Sequence, residues 1–458
     1  MRRIAIALAL LATCLSGPPA KAQMAVGMNL AGPTDWGRVT AFKDAMRQSR
    51  WLEKNQWHLL FWGHNTYPAG RYVCEWDGDD APKFVRGVGS AAIDEVLPGL
   101  AVLDVPVPVS GIAIQPFGDV RNIRLWLPGA RRDGSPFNAG YVESLRAFRV
   151  LRFMDWQRTN TSTLVEWSDR RLPSEQFQWE AADTRGVSPE LCLDLAREVG
   201  ASPWLCLPHQ ADDDFVERLA GAASDKLADG AALYLEWGNE IAWNRAAGFA
   251  GGRWLAAHGA ITGIRPVDYY GGRVKRIHEL ARPILGARLK LVVAGQANNP
   301  WIAEQECQAA GRGNFDAVSC AWYFGLPKGF VGDETTTVDD VLDLCERDIA
   351  GRLVERLAAH AKLAATYGVP LVLYEGGQHL TTSTGSPIAD EVVAAQRHPR
   401  MGDLYRAALA KCREAGAKLV LGFSDVGPWK PEGSWGSREH MTDYDAPKWR
   451  ALVEAAAP

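Results

Sequence analysis

Chemistry-bearing side chains recur in this sequence at the ends of short apolar runs. Asn29 closes the first run, and Arg152 closes the second, ahead of Asp155. His209 follows the third, and Asn239-Glu240 follows the fourth. Gln296 follows the fifth, and Tyr323 stands in the sixth. Glu375 ends the seventh, and Trp429 lies in the loop after the eighth. Two carboxylates stand out, Glu240 and Glu375. A pair of carboxylates in unlike surroundings can divide proton donation and nucleophilic attack between them. Singly, each has a plainer reading. Glu240 fits an acid at a helix start, and Glu375 fits a carboxylate bonded within a loop. At the ends of two facing strands, the pair points to catalysis. Glu236 competes for the acid role, but it lies inside its run and fits better as a group that orients Arg152. His209 fits either a ligand contact or a structural hydrogen bond. His379, four residues past Glu375, fits a site wall or a loop. Asp155 stays open between a ligand contact and a loop cap.

The runs that carry these residues are Val26–Leu30, Arg149–Phe153, Ser202–Leu207, Ala232–Trp237, Leu289–Gly295, Ala317–Tyr323, Pro370–Glu375 and Lys418–Phe423. Each is short and continuously apolar, as strands buried on both faces are. Helical patterns separate them. Val338–Tyr367 is the clearest, with Val341, Cys345, Ile349, Leu353, Leu357 and Ala361 on one face, Thr337 as cap and Gly368 as stop. Eight alternating units predict an α/β fold, a (β/α)8 barrel whose reactive groups sit at the carboxyl ends of its strands. There strands four and seven face each other across the mouth. No glycine-rich phosphate loop follows an early strand. Ala41–Glu53 reads as the helix of the first unit, so that 23–55 is one βα unit. In 56–128, strand-like segments at Arg71–Trp76, Lys83–Val88, Leu100–Val105, Gly111–Gln115 and Asn122–Leu127 alternate with turn residues. They predict a small antiparallel β module inserted after that unit, and 129–458 completes the barrel.

With these residues in place, the chain resembles a retaining glycoside hydrolase of clan A, the (β/α)8 group that includes many cellulases, mannanases and xylanases. The likeness rests on Asn239-Glu240 at strand four, Glu375 at strand seven, Arg152 in LRFMDW, His209 and Tyr323, and covers about residues 24–50 and 130–450. EWGNEIAWN also resembles a little-described group of exported bacterial cellulase-like proteins. Ile241 stands where many members carry Pro. The resemblance implies Glu240 as acid/base and Glu375 as nucleophile, cleaving a β-linked glycan without cofactor. The two carboxyl groups would lie about 5–5.5 Å apart. Glu240 would be held protonated and Glu375 ionised, the latter by Arg152 and the Tyr323 hydroxyl. Asn239 would bind the sugar 2-hydroxyl. Trp429 is the best placed ring for stacking on a sugar, with Trp237 and Trp322 readable as core. The rival is a carbohydrate-binding protein on a degenerate barrel. A serine esterase fails for want of a GxSxG turn.

Composition fits this picture. The chain has 458 residues, 47% hydrophobic and 23% charged, with a net charge of -4. That excludes extended disorder, and the acidic balance argues against nucleic acid as a partner. Its 18 Trp outnumber the 14 Phe and 11 Tyr, and flat apolar rings suit either core filling or sugar faces. Residues 1–22 read as a signal peptide, with Arg2 and Arg3, an apolar Ile4–Cys14 and an Ala20-Lys21-Ala22 cleavage site. The mature protein is then exported, to periplasm or medium, membrane-free and a monomer. Seven cysteines remain after the leader, an odd number that leaves at least one without an internal partner. None has zinc spacing. Asp212-Asp213-Asp214 reads as a helix cap rather than a calcium loop.

Overall fold

The computed structural model describes residues 24–35, 37–52, 57–60, 67–86, 92–105, 112–130, 132, 134–180 and 183–457. The predicted signal peptide and its cleavage site lie outside them. Eight parallel strands close into a barrel in chain order: Ala25–Asn29, Val150–Arg152, Ser202–Leu207, Leu233–Trp237, Leu289–Ala294, Ala317–Cys320, Leu371–Leu373 and Leu419–Gly422. The last pairs with the first, Val26 opposite Val420. Seven of the predicted runs contain their strands and the first, Val26–Leu30, overlaps Ala25–Asn29 with a shift of one residue, because an element covered on both faces must be apolar at every position. Inside the barrel, Val150, Trp204, Cys206, Val292, Val372 and Leu421 fill the centre. Outside it, Leu205, Leu235, Leu291 and Leu373 meet the helices.

Pro189–Val199, Pro266–Leu285, Pro300–Ala310, Pro399–Glu414 and Pro447–Ala456 all begin on proline, whose fixed φ and missing N–H suit a first helical position. Asp212 caps Asp213–Lys226 through the Phe215 amide. Val338–Tyr367 is one helical rod with a π turn at Ile349–Leu353, capped by Thr337 and stopped by Gly368 in the left-handed region. Among the described residues, no helix is long and apolar enough to cross a membrane.

The first unit differs from its expectation. Ala41–Glu53 does not form a helix. Asp44 caps a single 3-10 turn, Ala45–Gln48, and Arg50–Leu52 is already a strand paired with Trp57–Leu60. Tertiary bonds override the local pattern here. Gln48 accepts from the Ala41 amide and donates to the Val39 carbonyl, while Asp44 accepts from Met46 and Leu125. The helix that comes after strand one is Ala139–Leu145, beyond the β module. The module therefore interrupts the first unit, between its strand and its helix, and its pairing begins at Arg50. Arg50–Leu52, Trp57–Leu60, Ile112–Gln115 and Lys83–Arg86 form one four-stranded sheet. Ala92–Leu97, Leu100–Val105, Gly70–Asp77 and Arg121–Trp126 form the other. Tyr72, Cys74, Trp76, Leu103, Ile114 and Leu125 share a core separate from the barrel's.

The loop after strand two holds the module to the barrel. Gln178 and Trp179 donate to the Arg47 carbonyl, Arg47 donates to the Pro173 carbonyl, and Phe177 stacks on His58 with ring centres 4.7 Å apart.

Candidate active site

The floor of the barrel mouth is built on Arg152, the last residue of strand two, with 0% of its surface exposed. A guanidinium taken out of water needs partners for its fork of donors. Nη1 donates to Asn29 Oδ1 at 3.0 Å and to Glu375 Oε2 at 3.1 Å. Nη2 donates to Asn239 Oδ1 at 2.9 Å and to Glu236 Oε2 at 2.8 Å, and Nε reaches the same Glu236 oxygen at 3.2 Å. Glu236 also accepts from Trp204 Nε1 at 3.0 Å. It is therefore a buried anchor for Arg152. Asn29 completes the floor by donating to the carbonyls of Tyr374 and Gly422, which ties strands one, two, seven and eight together.

Strand four ends in a sharp turn, with Gly238 at φ 70° and Glu240 at φ 52°. A left-handed glutamate is uncommon, and such strain persists where surrounding contacts hold it. Glu240 Oε2 accepts from Asn244 Nδ2 at 2.7 Å, one helical turn on, and Oε1 accepts from the Tyr374 hydroxyl at 3.2 Å. Asn239 is turned the other way, accepting from Arg152 and donating to Asn160 Oδ1 at 3.0 Å. Across the mouth, Glu375 Oε1 accepts from the Tyr323 hydroxyl at 3.1 Å, and its other oxygen is held by Arg152. Each carboxylate thus has its own tyrosine hydroxyl.

Burial raises the Glu375 carboxyl, to about 8; Arg152 opposes the rise, the Glu240 charge adds to it, and the Tyr323 hydroxyl opposes it again. The sequence-based expectation of a lowered value is corrected on this point. The resemblance weighed Arg152 and left out the loss of water around a side chain that is only 9% exposed. At Glu375 the loss of water thus outweighs the stabilising charge of Arg152 and the Tyr323 hydrogen bond.

A cleft of about 480 Å³ opens beside them, with Glu240, Trp243, Asn244, Tyr323, Tyr374 and His379 among its walls. His379 is exposed, with its ring edge-on to Tyr323 at 5.2 Å and near Trp435 at 5.6 Å. The partial loss of water around it lowers its proton affinity. Two predicted residues stand elsewhere. His209 lines a separate pocket of about 390 Å³ with Trp237, Trp254 and Tyr269; its Nδ1 has no hydrogen-bond partner, and burial lowers its pKa to about 4. Trp429 is not free to stack on a ligand. The residue is 7% exposed, with Arg397 at 4.8 Å and Lys448 at 4.6 Å from its ring, and Nε1 donates to the Gly436 carbonyl. Trp237 and Trp322 are core. Sequence reasoning missed Tyr374, Asn244 and Trp243. Asn244 carried a readable signal, since it stands four residues after Glu240. None of the module's described residues lines the cleft.

No family model matches the chain, and neither does any curated protein. Among solved structures it is similar to a GH51 arabinofuranosidase from Xanthomonas axonopodis pv. citri, with 14% identity over 64% of this chain and 62% of that one, and a TM-score of 0.39. It is similar to AbfB, a family 51 alpha-L-arabinofuranosidase from Bifidobacterium longum, with 12% identity over 71% and 69% and a TM-score of 0.43. It is also similar to a Bacteroidetes-affiliated GH5 cellulase, with 14% identity over 72% and 85% and a TM-score of 0.43. The chain thus spans under two thirds of the length of the first. The barrel rests on its own strand topology, and these likenesses transfer no residue role.

Proposed function

We propose that this chain is an exported glycosidase that cleaves a β-linked oligo- or polysaccharide with retention. The observation that carries the reading is the pair Glu240 and Glu375, at the ends of strands four and seven, each held by a separate tyrosine hydroxyl with Arg152 beneath Glu375. In this mechanism Glu375 attacks the anomeric carbon while Glu240 protonates the departing oxygen. Water activated by Glu240 then releases the sugar from Glu375. Glu375 attacks only when ionised, so burial, which raises its carboxyl, makes turnover in this mechanism draw on enzyme that has lost the Glu375 proton. Arg152 and Tyr323 fix the attacking carboxylate, and Tyr374 and Asn244 aim the acid. Asn239, already bonded to Arg152 and Asn160, would present its amide edge to the sugar from a fixed position. Trp243 and Tyr323 supply aromatic wall for sugar faces.

The test is turnover on a panel of β-glycans and aryl β-glycosides, with product stereochemistry. Glu375→Ala should lose about 10⁴-fold or more, and added azide should partly restore turnover to a product of inverted configuration. Glu240→Ala should accumulate glycosyl-enzyme from an activated aryl glycoside, and azide should release it with retained configuration. Wild-type turnover in both variants would remove these residues from the chemistry.

A further inference from the structure

The cleft wall away from the two glutamates is cationic. Asp348, Arg352 and Arg356 lie along one helical rod at four-residue steps, and all three line the cleft that Glu240 and Tyr323 line. In a regular α-helix, residues eight apart drift by about 80° around the axis. The π turn Ile349–Leu353 rotates less per residue and takes up part of that drift, a use of π turns that recurs at functional sites.

The charges there do not cancel. Asp348 is 6% exposed, and its carboxylate is shared. Oδ2 accepts from the Gly325 amide at 2.8 Å, and Oδ1 accepts from Arg352 Nε at 2.5 Å. Arg356 Nη2 stands 3.6 Å from Asp348, beyond hydrogen-bond reach, and has no acceptor. Its other groups meet neutral oxygens, the Arg352 carbonyl and Asn298 Oδ1. Arg352 donates Nη2 to the Leu326 carbonyl, and its side chain stays 46% exposed. Two guanidiniums thus face one shared carboxylate. The other acid lining this cleft, Glu240, is held by Tyr374 and Asn244. Burial draws down the proton affinity of Arg356, and Asp348 offsets this in part. A desolvated cation with surplus charge beside an exposed one is a receptor for an anion that can accept from a planar fork.

Resting on the glycosidase reading above, we infer that the cleft selects a glycan bearing an anionic substituent, a carboxylate or a sulfate ester, whose charge is received by Arg352 and Arg356. The outer guanidinium contacts the anion, and the inner one supplies charge behind it. Neutral hydroxyls of the same sugar would meet Gln296 and Asn298.

The experiment is calorimetric titration of the full chain carrying Glu375→Ala, so that bound sugar is not consumed. The probes are β-glucuronosyl-(1→4)-glucose, cellobiose, which differs from it only in carrying a hydroxymethyl in place of the carboxylate, and cellobiose 6-sulfate. At least one anionic disaccharide should bind about tenfold more tightly than cellobiose. Whichever anionic probe leads identifies the substituent. Arg352→Gln should bring the preference below about threefold, and Arg352→Lys should retain part of it. Equal binding of all three, or binding of none, overturns the inference, as does a preference that survives Arg352→Gln and Arg356→Gln together. Turnover by the unsubstituted enzyme on any glycan, lost in Glu375→Ala, upholds the glycosidase reading whatever the charge preference. An anion preference without turnover on any substrate sinks that reading alone.

Discussion

A carboxyl group sealed beside another carboxylate carries its titration into the stability of the whole chain. Glu375 holds its proton to about 8 in the fold, for burial first, with Arg152 and Tyr323 opposing and Glu240 adding. Unfolded, it would titrate near 4.5. Between those values the folded state binds more protons than the unfolded one, so this group's contribution to stability falls as pH rises from 4.5 to 8 and then levels. The slope is at most on the order of 1 kcal/mol per pH unit. Glu375→Gln removes it. Urea midpoints across pH 5 to 9 should show the variant gaining on the unsubstituted protein up to pH of about 8 and holding a constant margin above. A constant margin throughout would mean that Glu375 is ionised in the fold. Asp155 and Asp425, also raised by burial to about 6, titrate in both proteins and cancel. Much of this residue-level picture was legible beforehand. Glu240, Glu375, Asn239, Arg152 and Tyr323 stand at the ends of strands whose bodies are apolar, so their polarity marks them. Tyr374 was hidden because it directly precedes Glu375, and strand alternation argues against neighbours sharing a site. Trp429 was misplaced because its stacking partners, Arg397 and Lys448, come from distant parts of the chain.

Elements position these groups, and the seventh strand does so through the two glycines at its end. Glu375 leads into Gly376 and Gly377, at φ 159° and 131°. A Cβ on Gly377 would meet the Tyr405 hydroxyl, which is fixed in place because it accepts from the Gln378 amide at 3.1 Å. Gly377→Ala therefore combines a disfavoured backbone with overpacking, and should destabilise by about 2 kcal/mol. Its turnover should fall further than its folded fraction, because Glu375 shifts with the strand end. Denaturant midpoints and activity per folded molecule separate the two effects. Unchanged values for both would show that the strand end yields without moving its carboxylate. The strands were readable because burial on two faces leaves one solution, an unbroken apolar run. Ala41–Glu53 was not readable, since Gln48 turns back onto Ala41 and Val39 while Asp44 binds the distant Leu125 amide, and together they stop a helix that local pattern allows. Arg50–Leu52, Trp57–Leu60 and Ala92–Leu97 escaped for a related reason. Arg50–Leu52 and Ala92–Leu97 are outer strands paired on one side only, and the second partner of Trp57–Leu60, Ile112–Gln115, lies far along the chain.

For the molecule as a whole, the cysteines test what holds the fold together. Cys74, Cys192, Cys206, Cys307, Cys320, Cys345 and Cys412 are all free and all buried. The first belongs to the module core, and the rest are spread over barrel strands and helices. Burial pushes every one of these thiols upward, which suppresses the thiolate that reacts with oxidants and disulfides. An odd cysteine count alone left a bridge open. The fold closes that question, because a chain of this length buries enough apolar surface to dispense with covalent ties. Export to an oxidising compartment would then leave these residues as small core hydrophobes. Native protein beginning at Gln23 should give under one equivalent of thiol with an aromatic disulfide reagent. The same protein, denatured without reductant, should give seven. Dithiothreitol should leave the melting temperature unchanged, since there is no bridge to lose. Fewer than seven thiols on denaturation, or a fall in melting temperature on reduction, would place a disulfide in the native protein and assign part of its stability to an oxidised link between elements.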